Sequence, residues 1–190
     1  MFQEDGYQII GGLLPYKTRE SLSKTIDVLQ QKGLLQYSDG QVEKAYSAYG
    51  NPVTEKLLQT LCPVFSEITQ LSLFPTYSYS RIYLKGALLS KHVDREACEI
   101  SATITLDVDS PSIWPIFLET YKKIVRVELE PGDTLIYKGQ ELPHWRECFE
   151  GERQIQVFLH YVRQDGQYKD FKYDKSVTTG ILSLASNQRC

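Results

Sequence analysis

From Phe74 to Arg163 the chain keeps one texture: short runs in which apolar and polar residues alternate, each closed by a turn signal. Alternation of period two describes strands that bury one face and present a polar one, so a stretch of this length commits the chain to antiparallel sheet. The run from Glu99 to Asp107 shows it most plainly, with Ile100, Ala102, Ile104 and Leu106 interleaved with Ser101, Thr103 and Thr105. Its polar face is expected to line a site. Asp107 to Pro111 reads as a turn, Ile113 to Thr120 and Lys123 to Glu130 as a hairpin, and Pro131-Gly132-Asp133 as the turn into Thr134 to Tyr137. Lys138 to Pro143 leads to His144. Gly151-Glu152 closes a last hairpin into Arg153 to Arg163, where Ile155, Val157, Leu159 and Tyr161 alternate with Gln154, Gln156, Phe158 and His160.

Ahead of this region the period changes. Tyr7 to Leu14 is a short apolar run expected to form a first strand. A helix follows it, with Thr18 as N-cap, Leu22, Ile26 and Leu29 at helical spacing, and Gly33 where a helix stops. Residues 34–50 fit neither period and read as a long loop with an edge strand, its Tyr37, Tyr46 and Tyr49 either packing or covering a pocket mouth. Asn51-Pro52 starts a second helix, whose stripe is Leu57, Leu58, Leu61, Phe65 and Ile68. Pro63 is expected to kink or split it, because proline lacks the N–H and crowds the preceding turn. About eight short strands behind two helices give a mainly β fold with N-terminal helices, a double-stranded β-helix or cupin-like jelly roll with the helices on its outer face. An immunoglobulin-type sandwich would need a Cys and Trp spacing that is missing here.

At 190 residues with 42% hydrophobic side chains the chain can bury one core. The expected organisation is a single domain over 1–190: helical support over 16–72, a jelly-roll core over 77–163 and a C-terminal extension over 164–190, read as a strand and lid or as partly disordered. A net charge of -3 without a Lys or Arg run gives neither nucleic acid nor an anionic membrane an electrostatic footprint. Cys62, Cys98, Cys148 and Cys190 are scattered with no C-x-x-C pair, which suits reduced thiols. The acidic N-terminus is unlike a secretory signal, and no segment has the length of a membrane span, so a cytoplasmic location is expected. Oligomeric state is not legible.

The chemistry concentrates at His92-Val93-Asp94. Residues two apart on an extended strand share a face, so an imidazole and a carboxylate look into the same space. A second histidine from elsewhere would complete the two-His-one-carboxylate set used by non-haem Fe(II) oxygenases. The chain has only His144 and His160 besides His92. His144 follows Pro143 at a strand edge, where a ligand can be aimed inward; His160 sits mid-strand. If Arg153 points into the lumen, strand parity turns His160 out of it, and Gln154 to Leu159 contains no glycine or proline to mark a bulge. On that premise the ligands are His92, Asp94 and His144, and His160 is a packed strand residue.

The ordered set Tyr83-x-x-Gly86-x-x-Leu89-x-x-His92-x-Asp94, Pro131-Gly132-Asp133, His144 and then Arg153 resembles the Fe(II)- and 2-oxoglutarate-dependent dioxygenases of the prolyl 4-hydroxylase type over about residues 77–163. The resemblance implies Fe(II) on His92, Asp94 and His144, Arg153 taking the distal carboxylate of 2-oxoglutarate, and Tyr83 assisting on the cosubstrate side. It departs at Leu89, where many prolyl hydroxylases carry a second tyrosine. The charges agree: a dication, one carboxylate and a doubly charged 2-oxo acid sum to minus one, which an arginine fork would neutralise. Lys85 and Lys91 are the next candidates for that clamp. Three protein ligands leave two positions for the chelating cosubstrate and one for O2. Ser101 and Thr103 could add hydroxyls to the pocket, and Trp114 and Trp145 read as core or rim aromatics. The implied reaction hydroxylates a C–H bond of a peptidyl residue such as proline, releasing succinate and CO2. A free amino acid or small metabolite is the alternative substrate, and a non-catalytic metal-binding or sensing jelly roll the alternative class.

Overall fold

A computed structural model describes residues 2–175. Its elements run, in chain order, α1 (Phe2–Asp5), β1 (Tyr7–Ile10), α2 (Tyr16–Gln31), β2 (Gln36–Tyr37), β3 (Ala45–Tyr49), α3 (Pro52–Thr69), β4 (Leu73–Leu84), β5 (Leu89–His92), β6 (Ile100–Asp109), β7 (Ile116–Glu119), β8 (Ile124–Val127), β9 (Thr134–Tyr137), β10 (His144–Arg146) and β11 (Arg153–Arg163). The strands form two antiparallel sheets. The larger is ordered β1-β9-β6-β11-β4-β3-β2 and the smaller β5-β10-β7-β8. From β4 to β11 the chain crosses between the sheets at every step but β7–β8, which is the double-stranded β-helix expected from the sequence.

Helices α2 and α3 cover the outer face of the larger sheet. Leu22, Ile26, Leu58, Leu61 and Phe65 meet Ile100, Ile104, Leu106, Ile155, Val157 and Leu159 in one buried cluster. The apolar rows of β6 and β11 therefore face the helices, and their polar rows face the space between the sheets. Asn51 caps α3 by accepting from the N–H groups of Val53 and Thr54, both at 3.0 Å. The helix runs on through Pro63 without the expected break. Proline forfeits one intrahelical bond, and buried Leu58, Leu61 and Phe65 on both sides hold the helix against the sheet. Helix α2 begins at Tyr16 behind Pro15, so Thr18 lies inside its first turn and does not cap it. Residues 34–50 hold a short hairpin, β2 and β3, that extends the larger sheet. No helix among the described residues is long and apolar enough to cross a membrane.

The expected closing hairpin at Gly151-Glu152 is not one, because β10 and β11 belong to different sheets. Beyond β11 the described part of the extension packs Phe171 near Tyr77, Ala97 and Cys98 and pairs Asp174 with Arg95 at 2.5 Å. The rest of that extension, with Cys190, lies outside the described residues.

Candidate metal centre

The smaller sheet assembles the site. His92 closes β5 and His144 opens β10; the two are direct cross-strand partners, with ring centroids 4.3 Å apart. Asp94 follows just beyond the strand end, where its N–H is held by the carbonyl of Gly139 at 2.9 Å. Asp94 Oδ1 lies 3.7 Å from His92 Nε2 and 3.6 Å from His144 Nε2. Each imidazole donates from Nδ1 to a backbone carbonyl two residues back, His92 to Ser90 at 2.8 Å and His144 to Leu142 at 2.9 Å. That fixes both tautomers with the Nε2 lone pair facing the third ligand, the arrangement a divalent metal needs. Burial lowers the His144 pKa although Asp94 opposes it, which favours the neutral, metal-binding form.

A cavity of about 610 Å³ opens from this cluster between the sheets. The structure brings His92, Asp94 and His144 together in its wall, and it leaves Arg153 outside. Arg153 is an odd residue of β11, on the helix-facing row. Its guanidinium pairs with Asp27 of α2 and approaches Asp107 to 3.6 Å. The premise that aimed Arg153 inward therefore fails, and with it the outward placement of His160. Register shifts occur along both edges of β11, but the extra residue lies each time in the partner strand, so β11 keeps its alternation. Gln154, Gln156, Phe158 and His160 form its inward row, and His160 lines the cavity. Lys85 and Lys91 are taken as well, by Glu152 and Glu119.

Three arginines line the cavity, and of these Arg81 pairs with Asp39 and Arg95 with Asp174, which leaves Arg146. It stands two residues after His144 on β10, on the same face of that strand, and it lines the cavity. It is 2% exposed. Nη1 donates to the carbonyl of Trp114 at 2.5 Å, and the guanidinium lies 4.7 Å from the Trp114 ring centroid. Nη2 has no hydrogen-bond partner, and no carboxylate among the described residues pairs with the guanidinium. Burial pulls its pKa down to about 10, still charged at neutral pH. The groups that share this polar interior are short of partners too: Thr103 Oγ1, Thr105 Oγ1 and both side-chain atoms of Gln156 are buried without a hydrogen bond. Orphaned buried polar atoms are costly, and a buried guanidinium with an unpaired Nη2 in the cavity wall is a natural seat for an anionic ligand. The residues present therefore fit both a divalent metal and a dicarboxylate.

The remaining expected residues fall as follows. Tyr83 is fully buried, its ring edge-on to Trp114 and its hydroxyl accepting from Arg81 Nη1 at 3.2 Å. Ser101 Oγ donates to Asp94 Oδ2 at 2.6 Å, and Thr103 is on the same inward row. Trp114 is core. Trp145 is a rim aromatic stacked on Phe117. Sequence reasoning missed Arg146, although the rule that paired His92 with Asp94, residues two apart on one strand, applies equally to His144 and Arg146.

No protein-family model and no curated protein matches the sequence. Solved structures do match. A prolyl-4-hydroxylase of Pseudomonas putida superposes with a TM-score of 0.71 at 16% identity over 85% of this chain and 95% of that one. HygX of Streptomyces hygroscopicus, with nickel and 2-oxoglutarate bound, gives 0.68 at 14% identity over 86% and 85%. A Trichoplax adhaerens prolyl hydroxylase, in complex with a hypoxia inducible factor peptide fragment, gives 0.71 at 14% over 86% of both chains. At these identities the likeness carries the fold, and the fold of this chain is that of the Fe(II)- and 2-oxoglutarate-dependent oxygenases in its prolyl 4-hydroxylase-like form.

Proposed function

We propose that the protein is an Fe(II)- and 2-oxoglutarate-dependent oxygenase in which His92, Asp94 and His144 hold the metal and Arg146, not Arg153, receives the distal carboxylate of the cosubstrate. The observation that carries this is the unpaired, fully buried guanidinium in the same cavity as three convergent ligand atoms. Bound Fe(II) with 2-oxoglutarate supplies the activation of O2 that places one oxygen atom on a substrate C–H bond and the other in succinate, with loss of CO2. The chain's own residues do the rest. Arg146 neutralises the surplus negative charge of metal, Asp94 and cosubstrate, and its unpaired Nη2 offers the carboxylate a hydrogen bond. Tyr83 walls the interior beside Trp114. A non-catalytic metal-binding jelly roll would have no use for that buried cation.

The substrate reading is a peptidyl residue such as proline, supported by the prolyl hydroxylases among the structural neighbours. A small molecule is the second reading. It is supported by HygX, solved also with hygromycin B bound at a TM-score of 0.69, and by a cavity walled by the β2–β3 hairpin, which contributes Asp39, Gln41 and Tyr49. The test begins with anaerobic Fe(II). Binding is expected near one equivalent and lost in Asp94→Ala, which leaves two imidazoles to hold a dication. Unchanged Fe(II) affinity in that variant overturns the site. Incubating the loaded enzyme with peptide and metabolite pools, and reading by mass which component gains one oxygen atom, then separates the substrate readings.

A further inference from the structure

Asp94 has two carboxylate oxygens and the structure uses them differently. Oδ1 faces the two imidazoles, whereas Oδ2 accepts from Ser101 Oγ at 2.6 Å. The same hydroxyl lies 3.0 Å from His160 Nδ1. A hydroxyl has one proton to give, and the short bond to a carboxylate claims it ahead of the Cys98 carbonyl at 3.3 Å. His160 must then donate from Nδ1 to Ser101, which fixes its tautomer. His160 is held in place by the Tyr77 ring, 4.7 Å from its own. Gly139 leaves room for the chain of bonds: a Cβ there would collide with Asp94 Oδ2 and stand 2.5 Å from Ser101 Oγ.

We infer that His160 and Ser101 are positioning residues that tether Asp94 Oδ2, so that Asp94 offers the metal one oxygen only. The inference rests on the metal site proposed above. Its consequence is room: a cosubstrate that chelates through two atoms and O2 together need three positions, and a carboxylate free to bind through both oxygens would take one of them. The relay thus reserves the cosubstrate's place without touching the cosubstrate.

Cobalt(II) serves as the probe, because it takes the same ligands and reports binding by its visible absorption. Removing an outer partner of a metal ligand typically weakens metal binding about 10–100-fold. Ser101→Ala and His160→Phe are expected to fall in that range. His160→Asn keeps a donor where Nδ1 stood and should stay close to the unsubstituted protein, which a purely packing role for His160 would not allow. At saturating cobalt, Ser101→Ala should also bind 2-oxoglutarate more weakly, read as a rightward shift of the absorption change on titration. Unchanged cobalt or 2-oxoglutarate affinity in Ser101→Ala overturns the inference, as does a His160→Asn protein as impaired as His160→Phe. Asp94→Ala is the control that separates the two readings. If it loses cobalt while Ser101→Ala does not, only the tether is wrong; if it keeps cobalt, the metal site falls with it.

Discussion

Arg146 and Arg153 are seven positions apart in a strand-rich segment, and only their surroundings tell them apart. Arg153 lies between Asp27 and Asp107 with its side chain 29% exposed, a partly solvated pair whose loss costs about 0–1 kcal/mol. Arg146 is 2% exposed and pairs with no carboxylate among the described residues. Arg146→Gln is therefore expected to raise the 2-oxoglutarate requirement at least tenfold with metal affinity nearly unchanged, since a buried charged hydrogen bond is worth about 2–5 kcal/mol. Arg153→Gln should leave the 2-oxoglutarate titration untouched; the reverse pattern in a cobalt-monitored titration would restore Arg153 as the clamp. Gly139→Ala is predicted to lose metal affinity and some stability together, because the added Cβ would stand 2.5 Å from Ser101 Oγ and 2.6 Å from the backbone carbonyl of buried Cys98. At this scale the convergence of His92, Asp94 and His144 was legible because a short spacing and a short roster of histidines constrain it. Arg146 was hidden by a motif that matched Arg153 nine residues after His144, and motif spacing says nothing about which face a strand residue takes.

Among the elements, β6 was the most readable, since its apolar row could only meet the helices and its polar row then lines the interior. The same logic applied to β11 puts Ile155, Val157, Leu159 and Tyr161 against the helices and His160 inside, and the apolar row should have outweighed a single arginine. The β2–β3 hairpin was legible only as a loop with an edge strand: its strands are too short for periodicity, and it is held by tertiary bonds. Asp39 in its turn binds Arg81 and the Tyr79 hydroxyl, and accepts from Val42 N–H at 2.9 Å. Burial pushes the Asp39 carboxyl up, but Arg81, Tyr79 and Val42 outweigh it and hold the pKa at about 2, below the ordinary 3.8. A folded value below the unfolded one means stability that is present above about pH 4 and lost as pH falls through about 2, worth about 2 kcal/mol in all. Acid unfolding followed by tryptophan fluorescence should show Asp39→Asn losing less stability than the unsubstituted protein over that window. Equal losses would mean the pair is not formed.

Two sheets facing each other over a polar interior give the whole molecule an unfinished core. Thr103, Thr105, Gln156 and Arg146 are buried with polar atoms that no protein group satisfies, and Arg146 lines the cavity. The register of β6 on β11 sets Thr105 beside Gln156, and no local stretch of sequence announces that meeting. A ligand that binds only the folded form adds about RT ln(1 + [L]/Kd), close to 2.7 kcal/mol at a hundredfold excess over Kd. Melting temperature is accordingly expected to rise on adding metal, to rise again with 2-oxoglutarate, and to lose the second step in Arg146→Gln. A molecule built this way is at its most durable when its cosubstrate is plentiful, so its lifetime in the face of heat or proteases becomes a readout of that supply.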